Sequence, residues 1–254
     1  MPESMKGVWP SGICGAVSLT FDDGDQSQLK RAIPRMEERG LLGTFFLSPK
    51  GDDYVQRLAP WPAVAARGHE IGNHSLGHTC SCNLSNDPHY LGLEKLTLRD
   101  IEADVLEAEK RIEKLVPGTG PRTFCYPCYQ TDVGQGLTRQ SYVPVVARHF
   151  VAGRTGGEFG IPNHPLHADL HFLVSSDCTR MSGPELVGLV ERAARQGRWV
   201  IFTVHGIDTG RLGIPEYEFV DLLDHLSANK HRIWTAPLKT IAQHLADVRA
   251  RRKG

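Results

Sequence analysis

Ala16-Val17-Ser18-Leu19-Thr20-Phe21-Asp22-Asp23-Gly24 is an apolar run that breaks into two adjacent acids and a glycine. Residues 16–21 read as a buried strand. Neighbours in a strand face opposite sides, so the two acids converge only if the strand is ending. Gly24 permits a sharp exit there. A helix over Gln26 to Arg39 follows, closed by Gly40. The same alternation continues along the chain. Thr44 to Leu47, Glu70 to Asn73, Thr123 to Tyr126, His149 to Ala152, His171 to Val174 and Trp199 to Val204 read as strands. Helical patterns cover Val55 to Arg67, Leu96 to Leu115, Leu137 to Ala147 and Glu185 to Arg195. Phe219 to Leu226, Ile233 to Trp234 and Leu238 to Ala250 complete the series. Leu96 to Leu115 has the clearest 3.6 period, with Ile101, Val105, Ala108 and Ile112 on one face. Such alternation predicts an α/β fold of parallel strands with helices outside, a barrel or a doubly wound sheet. Gly153 to Pro165 is the most irregular stretch and reads as a long loop. There is no internal repeat and no long linker, so residues 1–254 read as a single domain with a core over about 14–245.

The chain has 254 residues, with 29 Lys and Arg balanced by 29 Asp and Glu and 40% apolar residues. That is enough apolar material for a core of its own, and it excludes a disordered class. The balanced charge argues against nucleic-acid and anionic-membrane partners, which ask for a basic face. Arg249, Arg251, Arg252 and Lys253 form the basic cluster and read as a solvated tail. No stretch reaches the ~18 apolar residues of a membrane helix. Gly7 to Phe21 faintly imitates a secretory signal, but it contains Pro10 and runs into Asp22-Asp23, so it reads as part of the fold. The chain as it stands reads as cytoplasmic, or as secreted if a leader precedes it. Six cysteines are too few for a disulfide scaffold. Cys80/Cys82 and the Cys125/Cys128 pair suggest a metal or redox site, yet Pro127 and the C-x-C spacing weaken both ideas. Reduced, packed thiols are the expectation, with a disulfide or a metal site as the alternatives.

Three constellations carry chemistry. Asp22-Asp23 closes the first strand, where barrel enzymes place their chemistry; an acidic turn capping the helix from Gln26 would account for the same residues. His74 and His78 lie on one face if their segment turns helical, close enough to share a metal ion. With a carboxylate from another strand end they form a two-histidine, one-carboxylate site with open positions. His205 closes the strand Trp199 to Val204, and imidazole suits general-acid work. His164, His167 and His171, with Asp169 between them, imitate a second metal site, although Pro165 and the glycine-rich approach suggest a loop.

Thr20-Phe21-Asp22-Asp23-Gly24, His74-Ser75-x-x-His78 and the strand-final His205 resemble motifs 1, 2 and 5 of the NodB-type polysaccharide deacetylases, carbohydrate esterase family 4. The resemblance runs over roughly 14–245 and implies a distorted (β/α)7 barrel. It further implies metal-assisted hydrolysis of an acetamide or acetate ester on an acetylated carbohydrate. Asp23, His74 and His78 would hold one divalent metal, zinc first among them. Asp22 would be the base and His205 the acid. The main-chain N–H of Cys128 would help hold the oxyanion.

The pattern departs in three places. The third motif, Arg-x-Pro-Tyr, is Cys125-Tyr126-Pro127-Cys128 here, so the arginine that pairs with the base is missing. A carboxylate without that cation has a higher pKa and a looser orientation. Arg154 is expected to supply the charge, with Arg122 and Arg180 as rivals. The fourth motif is matched best by Ser175-Ser176-Asp177, without its Trp. In the fifth, the leucine that lines the acetyl pocket is Thr203, implying a more polar pocket. Tyr126 and Asp177 join Arg154 as candidates to orient the base or bind substrate. Tyr126, Tyr129, Trp9 and Trp61 could stack on sugar rings, but at this density they read as core or rim packing. Two other functions fit in part: a related barrel hydrolase of a small cyclic amide, of the allantoinase or imidase kind, and a silent carbohydrate- or metal-binding module. A Rossmann enzyme is excluded because no G-x-G-x-x-G follows the first strand.

Overall fold

The computed structural model describes residues 5–156 and 160–253, the side chain of Lys253 excepted. Its centre is β1 (Gly15–Phe21), buried at every position. That is what a strand flanked by neighbours and covered on both faces requires. β2 (Thr44–Leu47), β3 (Glu70–Asn73) and β4 (Phe124–Cys125) follow on one side. A small hairpin, β5 (Asp132–Val133) with β6 (Gln140–Ser141), separates β4 from β7 (Gly153–Arg154). β8 (Ser176–Asp177) and β9 (Trp199–Val204) lie beyond β1, and β10 (Gly206–Ile207) pairs with β11 (Gly213–Ile214) outside the main sheet. The main sheet runs β7-β4-β3-β2-β1-β9-β8, and β12 (Ile233–Thr235) also pairs with β1. Every pairing in that sheet is parallel. β12 takes the first half of one side of β1 and β2 the second, while β9 accompanies β1 from Ala16 to Phe21. At the open seam Leu173 bridges to Arg154, and Ser176 and Asp177 pair with β9. One short segment thus spans the two edges, and the sheet curls into a distorted barrel, the fold that the family resemblance implies.

The strand period sorts the core. Val17, Leu19 and Phe21 of β1 and Val200, Phe202 and Val204 of β9 face the helices. Ala16, Trp199 and Ile201 turn inward and pack with Phe46, Cys125 and Leu173. Trp9 and Trp61 are both buried, as core packing requires. Outside lie α1 (Ile33–Glu37), α2 (Tyr54–Arg57), α3 (Trp61–Ala66), α4 (Leu98–Leu115), α5 (Val143–His149), α6 (Gly183–Gln196), α7 (Glu216–Ala228) and α8 (Leu238–Lys253). α4 buries the four residues of its periodic face and opens with a reciprocal Thr97–Asp100 capping box. α6 has a Ser182–Glu185 box and ends on Gly197 in the left-handed region, φ 68°.

Several boundaries differ from expectation. The helix over 26–39 is interrupted near its start by a π-turn, Gln28–Ala32, ahead of α1. The helix over 55–67 is split into α2 and α3 by the turn at Ala59-Pro60. A helix over 137–147 does not form: Gly136–Thr138 is a 3-10 turn, β6 follows, and α5 starts only at Val143, with Pro144 in its first turn. The strand expected at 149–152 is displaced to β7, because α5 continues through His149. His171 to Val174 contributes a single bridge at Leu173. The expected loop from Gly153 therefore opens with a strand, and its residues 157–159 lie outside the described residues. The basic tail is helical in α8, where Arg249 donates to the Pro165 carbonyl at 2.8 Å. No helix among the described residues is long and apolar enough to cross a membrane.

Candidate functional site

Asp22, Asp23, His74, Arg154, Asp177 and His205 stand at or just past the C-terminal ends of the parallel strands. The Asp22 N–H still donates the ladder bond to the Val204 carbonyl at 3.1 Å, and the residue is buried, at 2% exposure. Asp23 turns left-handed, φ 70°, one residue before Gly24 does. Its side chain comes out 46% exposed. The turn falls within the acid pair itself, so the two carboxylates serve adjacent centres. Gln28 ties the strand ends together by donating to the carbonyls of Asp22 and His205, at 2.6 and 2.7 Å.

On the Asp23 side, His74 Nδ1 meets the Cys125 carbonyl at 2.9 Å, which fixes the tautomer and leaves Nε2 3.5 Å from Asp23 Oδ1. His78 Nε2 is 3.2 Å from the same oxygen. One donor atom from each of the three lies within 4.8 Å of the others. Two imidazoles and a carboxylate are a donor set that suits a divalent ion such as zinc. Burial opposes the charge on Asp23, but both histidines outweigh it and hold its carboxyl well below the usual range. Burial likewise works against protonation of His78, and Asp23 reverses it and lifts the imidazole.

The histidines do not converge by a helical turn. Ser75 and His78 are left-handed, φ 60° and 49°, in an irregular loop. That loop is clamped by Asp104 of α4, which accepts from Leu76 and Gly77 N–H at 2.9 and 2.8 Å. Asn73 and Ser75 side chains accept from Ser75 and His78 N–H. Sequence reasoning missed Asp104, because an acid on the polar side of an amphipathic helix looks like any solvated charge.

On the Asp22 side, Arg154 fills the place of the missing arginine. Cys125 and Arg154 are register partners on β4 and β7. The guanidinium can therefore reach the same carboxylate from the adjacent strand. Arg154 is fully buried, donates to Asp22 Oδ1 and Cys125 Sγ, and reaches Thr203 Oγ1 at 3.0 Å. It lies over Phe46, 5.2 Å from the ring centre. Arg122 is occupied by Glu109 and Glu113, and Arg180 is exposed. Burial disfavours the Asp22 charge; Arg154, His74 and His205 overcome it and keep the carboxyl below its ordinary value. Burial also pushes the Cys125 thiol well up, so it remains neutral beside them. Thr203 spends its hydroxyl on Arg154 and Ser175 in the buried interior.

His205 Nε2 is 4.0 Å from Asp22 Oδ2, and its Nδ1 is buried without a partner among the described residues. Asp177 does not supply that partner; its carboxylate accepts from Thr179 N–H at 2.8 Å. Tyr126 is fully buried and donates to the His171 carbonyl at 2.7 Å, so it belongs to the wall rather than to a substrate surface. Cys128 is left-handed, φ 52°, and is joined to Cys80 by a disulfide with Cα atoms 5.8 Å apart. This corrects the expectation of reduced thiols for that pair, while Cys14, Cys82, Cys125 and Cys178 are free. The partners come from different sequence pairs, which adjacency along the chain could not reveal. His164 and His167 stack with ring centres 4.5 Å apart, and His171 turns to the Phe150 carbonyl. They are not among the metal-competent groups of the described residues. Asp23 borders two clefts, of about 360 Å³ with His205 and Arg211 and about 390 Å³ with His78, Lys50 and Arg57.

Comparison with known proteins gives the same direction. The family model described as polysaccharide deacetylase matches residues 11–138. No curated protein sequence matches the chain. Among solved structures, a mutant of peptidoglycan deacetylase PdaC from Bacillus subtilis is similar with a TM-score of 0.56 and 15% identity, covering 94% of this chain and 95% of that one. A family 4 acetyl xylan esterase from Clostridium thermocellum, in complex with a cobalt ion, has a TM-score of 0.53 and 19% identity over 90% of each chain. A CE4 family pseudoenzyme from Bacillus anthracis has a TM-score of 0.53 and 14% identity, covering 90% of this chain and 65% of that one. At these identities the likeness is one of fold, and the same fold accommodates both active and inactive proteins.

Proposed function

Because the chain belongs to the polysaccharide deacetylase family, we propose that it hydrolyses an acetyl group from an N- or O-acetylated carbohydrate, with residues 1–254 acting as one catalytic domain. The observation that carries the reading is the buried Asp22–Arg154 pair standing beside the Asp23, His74 and His78 donor set. A silent binder would have no use for a base held ionised in a dry site.

A divalent ion held by Asp23, His74 and His78, zinc by preference, would supply Lewis acidity toward the acetyl carbonyl. Asp22, kept anionic by Arg154 and aimed by it, takes the proton from the attacking water. The Cys128 N–H, in a loop pinned by the disulfide, contributes to the hole for the developing oxyanion. His205, on the far side of Asp22, protonates the departing amine or alkoxide. The C. thermocellum esterase carries a cobalt ion, in keeping with a divalent cation in this site.

The test is metal content by mass spectrometry on untagged protein, wild type against His74→Ala, joined to acetate release from acetylated xylan and N-acetylglucosamine oligosaccharides. About one ion per chain, lost in the variant together with acetate release, is expected. Wild-type protein that takes up no metal even when supplemented would overturn the metal-dependent reading and turn the search to ureide and imide rings.

A further inference from the structure

Tyr129 stands out once the tyrosines are compared. Tyr126 and Tyr142 are buried and each gives its hydroxyl to a carbonyl, of His171 at 2.7 Å and of Gln130 at 2.6 Å. The Tyr129 oxygen is also buried, yet it has no partner among the described residues. A buried polar group left this way calls for an explanation.

Its placement is not accidental slack. Tyr129 and the preceding Cys128 are both left-handed, φ 62° and 52°, an arrangement that persists only where the surroundings enforce it. Four contacts do so: the Cys80–Cys128 disulfide, Tyr129 N–H to the Tyr126 carbonyl at 3.0 Å, Thr155 Oγ1 to the Tyr129 carbonyl at 2.7 Å, and Gln130 Oε1 accepting from Ser81 N–H at 2.7 Å. The ring lies against the Arg154 guanidinium, 5.8 Å from centre to Cζ. On another side is Gly156, where a Cβ would come within 2.5 Å of the ring, so only glycine leaves room for it. Burial pushes the Tyr129 phenol up, and the Asp22 carboxylate adds to that, so the hydroxyl keeps its proton. A rigid ring carrying one free donor has been built into the centre that holds the base.

We propose that the Tyr129 hydroxyl contacts the substrate, donating a hydrogen bond to an oxygen of the acetylated sugar, either the acetyl oxygen or a neighbouring hydroxyl. The inference rests on the deacetylase reading and adds a residue to it. Tyr129 is then a catalytic residue whose free-state hydrogen bond is left open for the ligand, at a cost in stability that the substrate offsets.

The experiment is Tyr129→Phe in the metal-loaded protein, read three ways: melting temperature, metal content and acetate-release kinetics on acetylated xylan and N-acetylglucosamine oligosaccharides. Removing an unpartnered hydroxyl leaves the melting temperature unchanged or raises it, leaves the metal in place, and lowers kcat/KM by about ten- to a hundred-fold. A loss confined to kcat assigns the bond to the acetyl oxygen in the transition state, and a rise in KM assigns it to a sugar hydroxyl. Unchanged kcat/KM in an active enzyme overturns the inference alone. A lowered melting temperature also overturns it, by revealing a structural partner for the oxygen. Wild-type protein that releases no acetate from either substrate overturns the deacetylase reading and takes this inference with it.

Discussion

The β1–β3 side of the barrel mouth and the β4–β9 side reach comparable order by different means. On the first, Asp22, Asp23, His74 and His78 come from two short contiguous stretches, and local loop geometry aims them. On the second, Cys125, Arg154 and Thr203 are scattered over 79 positions of the chain and meet only because their strands are neighbours. The family model matches residues 11–138 and so covers the first side with β4, but not Arg154 or His205. The difference teaches that a charge can be moved between strands without moving in space. A guanidinium on β7 reaches the carboxylate that one on β4 would reach, because parallel register puts residues 125 and 154 side by side. The small thiol at 125 and the hydroxyl at 203 make room for the relocated arginine and give it a partner, so two departures from the family pattern become one rearrangement.

The strongest way to break this comparison is at the base. Asp22→Asn should reduce kcat by about 10²- to 10⁴-fold while metal content stays at the wild-type level. Retained turnover would mean that the two sides do not divide the labour as described.

Arg154→Met should follow, with kcat/KM down by about 10²-fold and stability down by about 3–5 kcal/mol, since it leaves a buried carboxylate without its cation. The sign of the pH effect is set by what remains. Burial raises the Asp22 carboxyl and Arg154 is the largest force lowering it, so the acid limb of kcat/KM moves to higher pH in the variant. The sharpening step is the exchange Cys125→Arg with Arg154→Cys. If register is what matters, the double variant recovers more of the rate and of the low-pH activity than Arg154→Cys alone. Equal rates in the two would show that β7 offers something β4 cannot.

Opening the Cys80–Cys128 disulfide, by Cys80→Ser with Cys128→Ser, should cost about 2–4 kcal/mol in denaturant unfolding. Because it joins the loop of His78 to that of Tyr129, kcat should fall more than metal affinity does.

The smallest effect concerns the segment that carries this disulfide. Glu94 is held down to about 2 by its bonds from the Ser81 hydroxyl and Cys82 N–H. A depressed carboxyl stabilises above its unfolded value of 4.5 and loses that contribution as pH falls toward about 2. The melting-temperature advantage of wild type over Glu94→Gln should therefore be present at pH 7 and shrink across that interval.

The sequence alone carried the alternation of strands and helices, the strand Trp199–Val204 to the residue, the amphipathic face of α4 and the candidate acids and histidines. All of these are properties of residues close together along the chain, where period and punctuation are visible. The tertiary structure decided the rest. It replaced the helical turn at His74–His78 with a loop clamped by Asp104, and it paired Cys80 with Cys128 across 48 positions. It gave the hydroxyl of Tyr126 to the wall and left that of Tyr129 without a partner among the described residues. It also identified Arg154, from among three arginines, as the partner of Asp22. Periodicity reports which face a residue occupies, but strand order and register determine which residues meet, and these are fixed only when the sheet closes.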